Sequence, residues 1–159
     1  MNDSIHVYAA ALRWTGAAHG ATTSYQAYSR DYAIEIDGKP ELQGSADSDF
    51  RGDALRYNPE DLLVAALSAC HLLSYLAECA LAGVAVVGYE DDARGEMTNI
   101  DGVMRFREVV LRPKVAIADA ARLEEARALH GKAHAGCFIA NSVNFPVRHE
   151  AVVWAAQPK

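Results

Sequence analysis

The sequence predicts an α+β protein in which two helices lie against antiparallel sheets, and three observations support this class. Residues 58–83 form a long apolar segment that predicts one central helix. A second, amphipathic segment at residues 120–135 predicts another helix. Short segments of alternating apolar and polar residues lie in groups before, between and after them. Strands grouped in this way are typical of antiparallel pairing with helices set to one side.

Length and composition limit the classes of protein that need consideration. A chain of 159 residues predicts a single domain over residues 1–159 with a substantial core. The net charge of −6 argues against nucleic acid or an anionic membrane as a partner. Three widely spaced cysteines, and an N-terminus without the features of a signal peptide, indicate a reducing compartment. We therefore expect a cytoplasmic protein.

The N-terminal part predicts three strands followed by a polar loop. The strands are expected at residues 5–15, 22–28 and 32–36, where β-branched and aromatic residues are frequent. Residues 44–57 are rich in Ser, Asp and Gly and predict a loop that leads into the central helix. A loop that ends at a rigid element is a common place for functional residues.

The central helix has clear boundaries and an unusual surface. Asn58 is a favourable N-cap, Pro59 suits the first helical position, and Gly83 is a natural end. Between residues 62 and 82 the only charged side chain is that of Glu78, and apolar residues occupy every face. Such a helix is expected to be covered all round, so we predict a buried core helix rather than a membrane span.

The C-terminal part predicts strands on both sides of the second helix. A strand is expected over residues 84–97, followed by a hairpin turn at residues 99–102 and a strand over residues 103–115. Asp119 is expected to cap the second helix, and a last strand is expected over residues 145–154.

The cysteines are the candidate reactive residues. Cys70 and Cys79 lie on one predicted helix, about 13 Å apart along its axis and on opposite faces, so they cannot pair. Cys79 is best interpreted as a small buried apolar residue. Cys70 could likewise be a small buried apolar residue. A second cysteine, Cys137, follows the end of the other helix and makes a reactive role possible. A nucleophilic thiolate needs a positive partner, and a second thiol can trap its sulfenic acid.

Two motifs in this sequence resemble the OsmC/Ohr family of thiol peroxidases, in its OsmC-like branch. The first is the run RYNPEDLL at residues 56–63 with Ser68-Ala69-Cys70 further along the same helix. The second is HAGCFIANSV at residues 134–143, followed by a final strand. The resemblance covers nearly the whole chain, including the order of its elements.

The resemblance implies both a fold and an activity. The family fold is an intertwined α+β homodimer with antiparallel sheets, in which the two long central helices are buried. Its chemistry reduces organic hydroperoxides and, less efficiently, hydrogen peroxide. Cys70 would be the peroxidatic cysteine and Cys137 the resolving cysteine. An external dithiol, such as a lipoyl group or a small thiol, would reduce the resulting disulfide, and no metal or organic cofactor would take part.

The resemblance also implies an acidic residue and an arginine beside the thiolate. Glu60 would hold the arginine, but ten helical residues place it about 15 Å from Cys70 along the axis. We therefore expect a composite site across the dimer, with Glu60 serving the partner's cysteine. The first hairpin turn, residues 16–20, contains no arginine. Arg51 is our first choice for this role and Arg56 the second.

Two other interpretations remain open at this point. His130, His134 and Cys137 have the spacing i, i+4, i+7, which can bind zinc if the helix continues to Cys137. A non-catalytic member that binds a small apolar ligand is the other alternative, favoured by the absent hairpin arginine. His71, next to Cys70, is expected to be a core or interface histidine rather than a residue that tunes the thiol.

Overall fold

The computed structural model describes residues 4–157. Backbone packing divides the chain into an N-terminal unit that ends at Leu62 and a C-terminal unit that begins at Leu63. The single domain expected over residues 1–159 stays a prediction.

The N-terminal unit contains one small antiparallel sheet. Its strands are β1 (Ala11–Trp14), β2 (Tyr32–Glu35) and β3 (Leu42–Gly44), in the order β1-β2-β3. Ala33, at the centre of β2, is completely buried and pairs with residues of both neighbouring strands. Short 3-10 helices follow at Thr15–His19 and Ser48–Phe50.

The structure corrects the predicted strands of this unit. Residues 22–28 form turns and bends rather than a strand. The guanidinium group of Arg30 donates hydrogen bonds to the carbonyl oxygens of Tyr28, at 2.7 Å, and Tyr25, at 2.5 Å, and lies over both tyrosine rings. These bonds hold the segment as a loop despite its strand-favouring residues. The first strand is shorter than expected, and β3 was not predicted.

Helix α1 (Pro59–Ala82) confirms the predicted central helix and both of its boundaries. The side-chain oxygen of Asn58 accepts a hydrogen bond from the Asp61 N–H at 2.7 Å, which is the expected N-cap contact. Gly83 has a φ of +73°, in the left-handed region that glycine adopts without strain. The Val84 N–H then bonds to the Cys79 carbonyl at 2.8 Å, which closes the helix end.

Within a single chain, α1 is buried along one stripe rather than on all faces. The fully buried residues are spaced four apart: Leu67, His71, Tyr75 and Cys79. Other large apolar side chains are exposed, with Leu73 at 67% and Leu81 at 84%. By length and composition α1 could also span a membrane. That α1 is a core helix rather than a membrane span stays a prediction.

Six strands of the C-terminal unit form two mixed sheets. They are β4 (Val86–Asp91), β5 (Arg94–Ile100), β6 (Val103–Leu111), β7 (Pro113–Ile117), β8 (Val147–His149) and β9 (Val152–Ala155). One sheet has the order β4-β7-β9 and the other β5-β6-β8. The pairs β4/β7 and β5/β6 are antiparallel, whereas β6/β8 and β7/β9 are parallel. The predicted antiparallel pairing is therefore confirmed in part, since each of these two sheets also contains one parallel pair.

Each of the three long strands predicted in this unit is divided into two. The breaks fall at residues 92–93, at Arg112 and at residues 150–151, and the two halves belong to different sheets. The carboxylate of Asp91 accepts the Arg112 N–H at 2.6 Å, which ties two of the breaks together. The Glu150 N–H bonds to the Leu111 carbonyl at 2.9 Å and ties the third.

Helix α2 (Leu123–Gly136) confirms the second predicted helix, although a 3-10 turn at Ala120–Arg122 precedes it. The Asp119 side chain accepts the Ala121 N–H at 2.9 Å, as a cap should. Tyr75 and Cys79 of α1 pack with Leu129 of α2 and with strands β7 and β9 in one core cluster. A second cluster places Leu67 of α1 against strand β6.

Candidate dithiol site

The C-terminal unit brings Cys70 and Cys137 together. Cys70 lies in the middle of α1 and is half-buried, while Cys137 directly follows α2 and is 1% exposed. Both thiols are free, and they lie close enough that Cys70 raises the pKa of the Cys137 thiol. Cys79, the third cysteine, is 1% exposed in the core, which confirms its interpretation as a small buried residue.

The Cys70 sulfur lies next to groups that can donate hydrogen bonds to it. The backbone N–H of Ile139, two residues after Cys137, donates to it at 3.5 Å. The Cys137 thiol is the second group within hydrogen-bonding reach. A sulfur that carries negative charge during nucleophilic attack is stabilised by such donors.

The pKa of Cys137 is raised to about 11. Burial is the main cause, because it disfavours the charged form, and the neighbouring Cys70 adds to it. The backbone N–H groups of Ala140 and Ile139 lower the pKa by less than these effects raise it. Cys137 is therefore a protonated thiol at neutral pH, and of the two cysteines it is suited to the secondary role.

The loop after α2 is held by Asn141, which sequence reasoning did not single out. Its side-chain amide donates to the carbonyl oxygens of Ala135 and Cys137, both at 3.0 Å. Its backbone N–H also donates to the Cys137 carbonyl at 3.0 Å. These bonds satisfy carbonyls that the end of a helix leaves free and fix the position of Cys137. An asparagine shortly after a predicted helix end was the available signal.

The two candidate arginines belong to the N-terminal unit and differ in their contacts. The Nε of Arg56 lies 3.3 Å from Asp53 and 3.8 Å from Asp31, and its Nη1 donates to Gln43 at 2.8 Å. Arg51 is exposed and follows a 3-10 helix with a φ of +67°. Its side chain has no hydrogen bond or ion pair within residues 4–157. Arg56 is thus committed to local carboxylates, and Arg51 is available.

Glu60 lines a cavity of about 540 Å³ in the N-terminal unit. Most of the wall is apolar or aromatic and includes Leu12, Trp14, Tyr28, Tyr32 and Phe50. Burial and the Glu60 carboxylate raise the pKa of Tyr32, so its hydroxyl stays protonated. An apolar cavity with a few polar groups at its edge suits a small organic molecule.

The predicted metal ligands do not form a site. Helix α2 ends at Gly136, before Cys137, so the helical spacing that the zinc interpretation needs is not reached. Within residues 4–157, no group of three or more His, Cys, Asp and Glu side chains is arranged to hold a metal ion. His71 is completely buried, as expected for a core histidine, and contacts His130.

Comparisons with known proteins match both the sequence and the fold of this chain. The family model described as OsmC-like protein matches residues 52–151. An OsmC-like protein of unknown function from Vibrio cholerae is 34% identical, with a TM-score of 0.83 over 93% of this chain and 100% of that one. None of the curated proteins with which the sequence was compared matches it.

More distant structures share the fold. An organic hydroperoxide resistance protein from Elizabethkingia anophelis is 21% identical, with a TM-score of 0.70 over 97% of this chain and 99% of that one. The organic hydroperoxide resistance protein OsmC from Legionella pneumophila is 18% identical, with a TM-score of 0.67 over 95% and 98%. The fold and the matched residues together define an OsmC-like α+β protein. The chain belongs to the OsmC/Ohr family.

Proposed function

We propose that this protein is a cysteine-based, thiol-dependent peroxidase that reduces organic hydroperoxides and, more weakly, hydrogen peroxide. The observation that carries the proposal is the proximity of Cys70, on α1, and Cys137, which follows α2, together with the Ile139 N–H that donates to the Cys70 sulfur. Some proteins of this fold are named for resistance to organic hydroperoxides, which is consistent with the proposal.

In the first step, the Cys70 thiolate attacks the terminal oxygen of the hydroperoxide, which carries the hydrogen. The sulfur–oxygen bond forms as the oxygen–oxygen bond breaks, and sulfur is oxidised to sulfenic acid. The leaving alkoxide takes a proton and departs as an alcohol. The Ile139 N–H, 3.5 Å from the sulfur, supports the charged nucleophile before attack.

In the second step, Cys137 resolves the sulfenic acid. Its sulfur attacks the Cys70 sulfur, a disulfide forms, and the hydroxyl group leaves as water with the thiol proton. Burial protects Cys137 from oxidation by the peroxide, because a thiol that stays protonated is a poor nucleophile. Cys70 is more exposed and meets the substrate first.

The cycle closes when an external dithiol reduces the disulfide. A lipoyl group or a small thiol supplies the two electrons and two protons, becomes a disulfide itself, and returns both cysteines to thiols. The proposed cycle needs no metal or organic cofactor. The protein is proposed to act in the cytoplasm, where such reductants are maintained.

We propose that two protomers complete each site. Glu60 of one protomer would orient Arg51 toward Cys70 of the partner subunit, and the guanidinium would neutralise both the thiolate and the leaving oxygen. The free guanidinium of Arg51 supports this choice over Arg56, whose charge is already paired. The aromatic cavity beside Glu60 suits the organic part of a hydroperoxide.

The surface of α1 supports an intertwined homodimer. Leu73 and Leu81 expose 67% and 84% of their areas in the single chain. Leu76 is 37% exposed on the same helix. Burying such side chains contributes about 1.5–3 kcal/mol each, so two helices packed against each other would be strongly favoured. Light scattering at micromolar concentration is expected to give a dimer, and a monomer would contradict this part of the proposal.

A peroxide-consumption assay tests the proposed activity. Cumene hydroperoxide and dihydrolipoamide are supplied to the wild-type protein, to Cys70→Ser and to Cys79→Ala. We expect turnover by the wild type and by Cys79→Ala, whose residue lies in the core and outside the site, and none by Cys70→Ser. No consumption by the wild type with any dithiol would refute the enzymatic proposal.

Non-catalytic binding of a small apolar molecule is the second candidate, and the 540 Å³ cavity favours it. Trp14 lines this cavity, and the other tryptophan is Trp154. Trp154→Phe therefore leaves one fluorescent reporter at the cavity. Binding of 2-phenyl-2-propanol, seen as a saturable change of Trp14 fluorescence without any hydroperoxide turnover, would support this candidate over the peroxidase.

A further inference from the structure

Four histidines gather next to the two cysteines in the C-terminal unit. His71 lies on α1, His130 and His134 on α2, and His149 at the end of β8. His71 and His130 are 0% and 1% exposed, whereas His134 and His149 are half-buried. The ring centroids of His71 and His149 are 5.4 Å apart, and those of His134 and His149 are 5.7 Å apart.

His71 and His130 form a direct hydrogen bond. Nε2 of His71 lies 3.0 Å from Nδ1 of His130. The rings are nearly parallel, at 7°, and their centroids are 5.4 Å apart. These values place the bond in the common plane of both rings, where the N–H of one points at the lone pair of the other.

The bond requires one donor and one acceptor, which two neutral rings supply. Burial is the main cause that lowers the pKa of His71 to about 4 and that of His130 to about 3. The neighbouring His149 lowers both pKa values. His134 lowers the pKa of His71, and Asp91 raises it. The Nδ1 of His71 and the Nε2 of His130 are buried without a partner in residues 4–157.

The histidine pair lies between two other contacts that α1 makes with α2 and with the residue after it. Cys70 lies near Cys137 at one end, His71 bonds to His130 next, and the Tyr75 hydroxyl donates to the Ala126 carbonyl at 3.1 Å one turn further on. The Tyr75 ring also stacks on that of His130, with centroids 3.8 Å apart at 12°. The pair is therefore the side-chain bond between the helices that lies nearest in sequence to Cys70.

We propose that His71 and His130 are positioning residues whose hydrogen bond fixes α2 against α1, so that the Cys137 sulfur stays within bonding reach of Cys70. The proposal rests on the proposed function, because it concerns the resolving disulfide. Neither imidazole exchanges a proton with the reacting sulfurs. Their hydrogen bond instead raises the effective concentration of the Cys137 thiol at the Cys70 sulfur.

The test measures the equilibrium constant of the Cys70–Cys137 disulfide against dithiothreitol. His130→Phe keeps a ring stacked on Tyr75 but removes the bond, and it should weaken the disulfide about tenfold. His71→Gln/His130→Asn places an amide N–H at the ε position and a carbonyl oxygen at the δ position. This double variant should restore the wild-type value to within about threefold, since the bond is rebuilt.

Tyr75→Phe is the matched control, because it removes the hydroxyl bond to Ala126 from the same pair of helices. It should lower the thermal midpoint and leave the disulfide equilibrium constant unchanged. The alkylation rate of Cys70 by iodoacetamide should be the same in all variants. If His130→Phe does not fold, His71→Leu breaks the bond from the other helix.

The outcomes separate the two proposals. A wild type that forms no Cys70–Cys137 disulfide refutes the proposed function and this inference with it. A wild-type disulfide whose equilibrium constant is unchanged in folded His130→Phe or His71→Leu overturns the positioning role alone. A weakened disulfide in the folded Gln/Asn double variant also overturns it, because that variant keeps the hydrogen bond.

Discussion

Acidification should destabilise this protein through His71 and His130. Both histidines are buried and neutral in the folded chain, whereas in the unfolded chain they titrate near pH 6.5. Below that pH the unfolded state binds protons that the folded state does not, so the free energy of unfolding falls. The loss begins near pH 6.5 and continues to about pH 4, the folded pKa of His71.

The magnitude follows from the pKa difference. For His71, a change from 6.5 to about 4 corresponds to roughly 3 kcal/mol over the whole window. Between pH 6.5 and 4.5 the loss should be about 2 kcal/mol from this residue. The loss in the free energy of unfolding should be up to about twice as large if His130 also stays neutral. A loss of this size is a large fraction of the stability of an ordinary domain.

Urea unfolding at fixed protein concentration, from pH 7 to pH 4.5, measures the effect. The reference is His71→Gln/His130→Asn, which keeps a hydrogen bond between the helices and has no ionisable group at either position. The wild type should lose at least about 2 kcal/mol more than this variant over the range. Parallel pH dependence of the two proteins would refute the argument, because carboxylates and the remaining histidines titrate in both.

Three further substitutions have defined outcomes. Asn58→Ala removes the N-cap contact of α1 and should lower the free energy of unfolding by about 1 kcal/mol in urea titrations; an unchanged value would contradict the capping role. Asn141→Ala frees the loop that carries Cys137, and rapid-quench mass spectrometry should show slower disulfide formation after peroxide addition, whereas an unchanged rate would show that the loop holds without it. Leu73→Glu places a charge on the exposed face of α1 and should produce a monomer by light scattering, and a persistent dimer would place the interface elsewhere.

The sequence predicted the helices well because their signals are local. Asn58 and Gly83 bound α1, and Asp119 marks the entry to α2. The strand breaks were missed because they depend on contacts between distant residues, such as the Asp91 carboxylate and the Arg112 N–H. The loop at residues 22–28 was missed for the same kind of reason, since the guanidinium of Arg30 binds carbonyls that a strand would need.

The candidate site was predictable only in part. The motifs singled out Cys70 and Cys137, but no spacing rule gives the contact between their sulfurs, which depends on how α2 packs on α1. The hydrogen bond between His71 and His130 joins residues 59 positions apart and leaves no periodic signal. The choice of Arg51 and Glu60 stays a prediction, because it concerns a second protomer.

The most direct test of the account is the fate of the cysteines after oxidation. The reduced protein is treated with one equivalent of cumene hydroperoxide, alkylated, digested and mapped by mass spectrometry. The account predicts a peptide pair cross-linked through Cys70 and Cys137, with Cys79 alkylated as a free thiol. Oxidation of Cys70 to sulfinic acid while Cys137 remains a free thiol would contradict it.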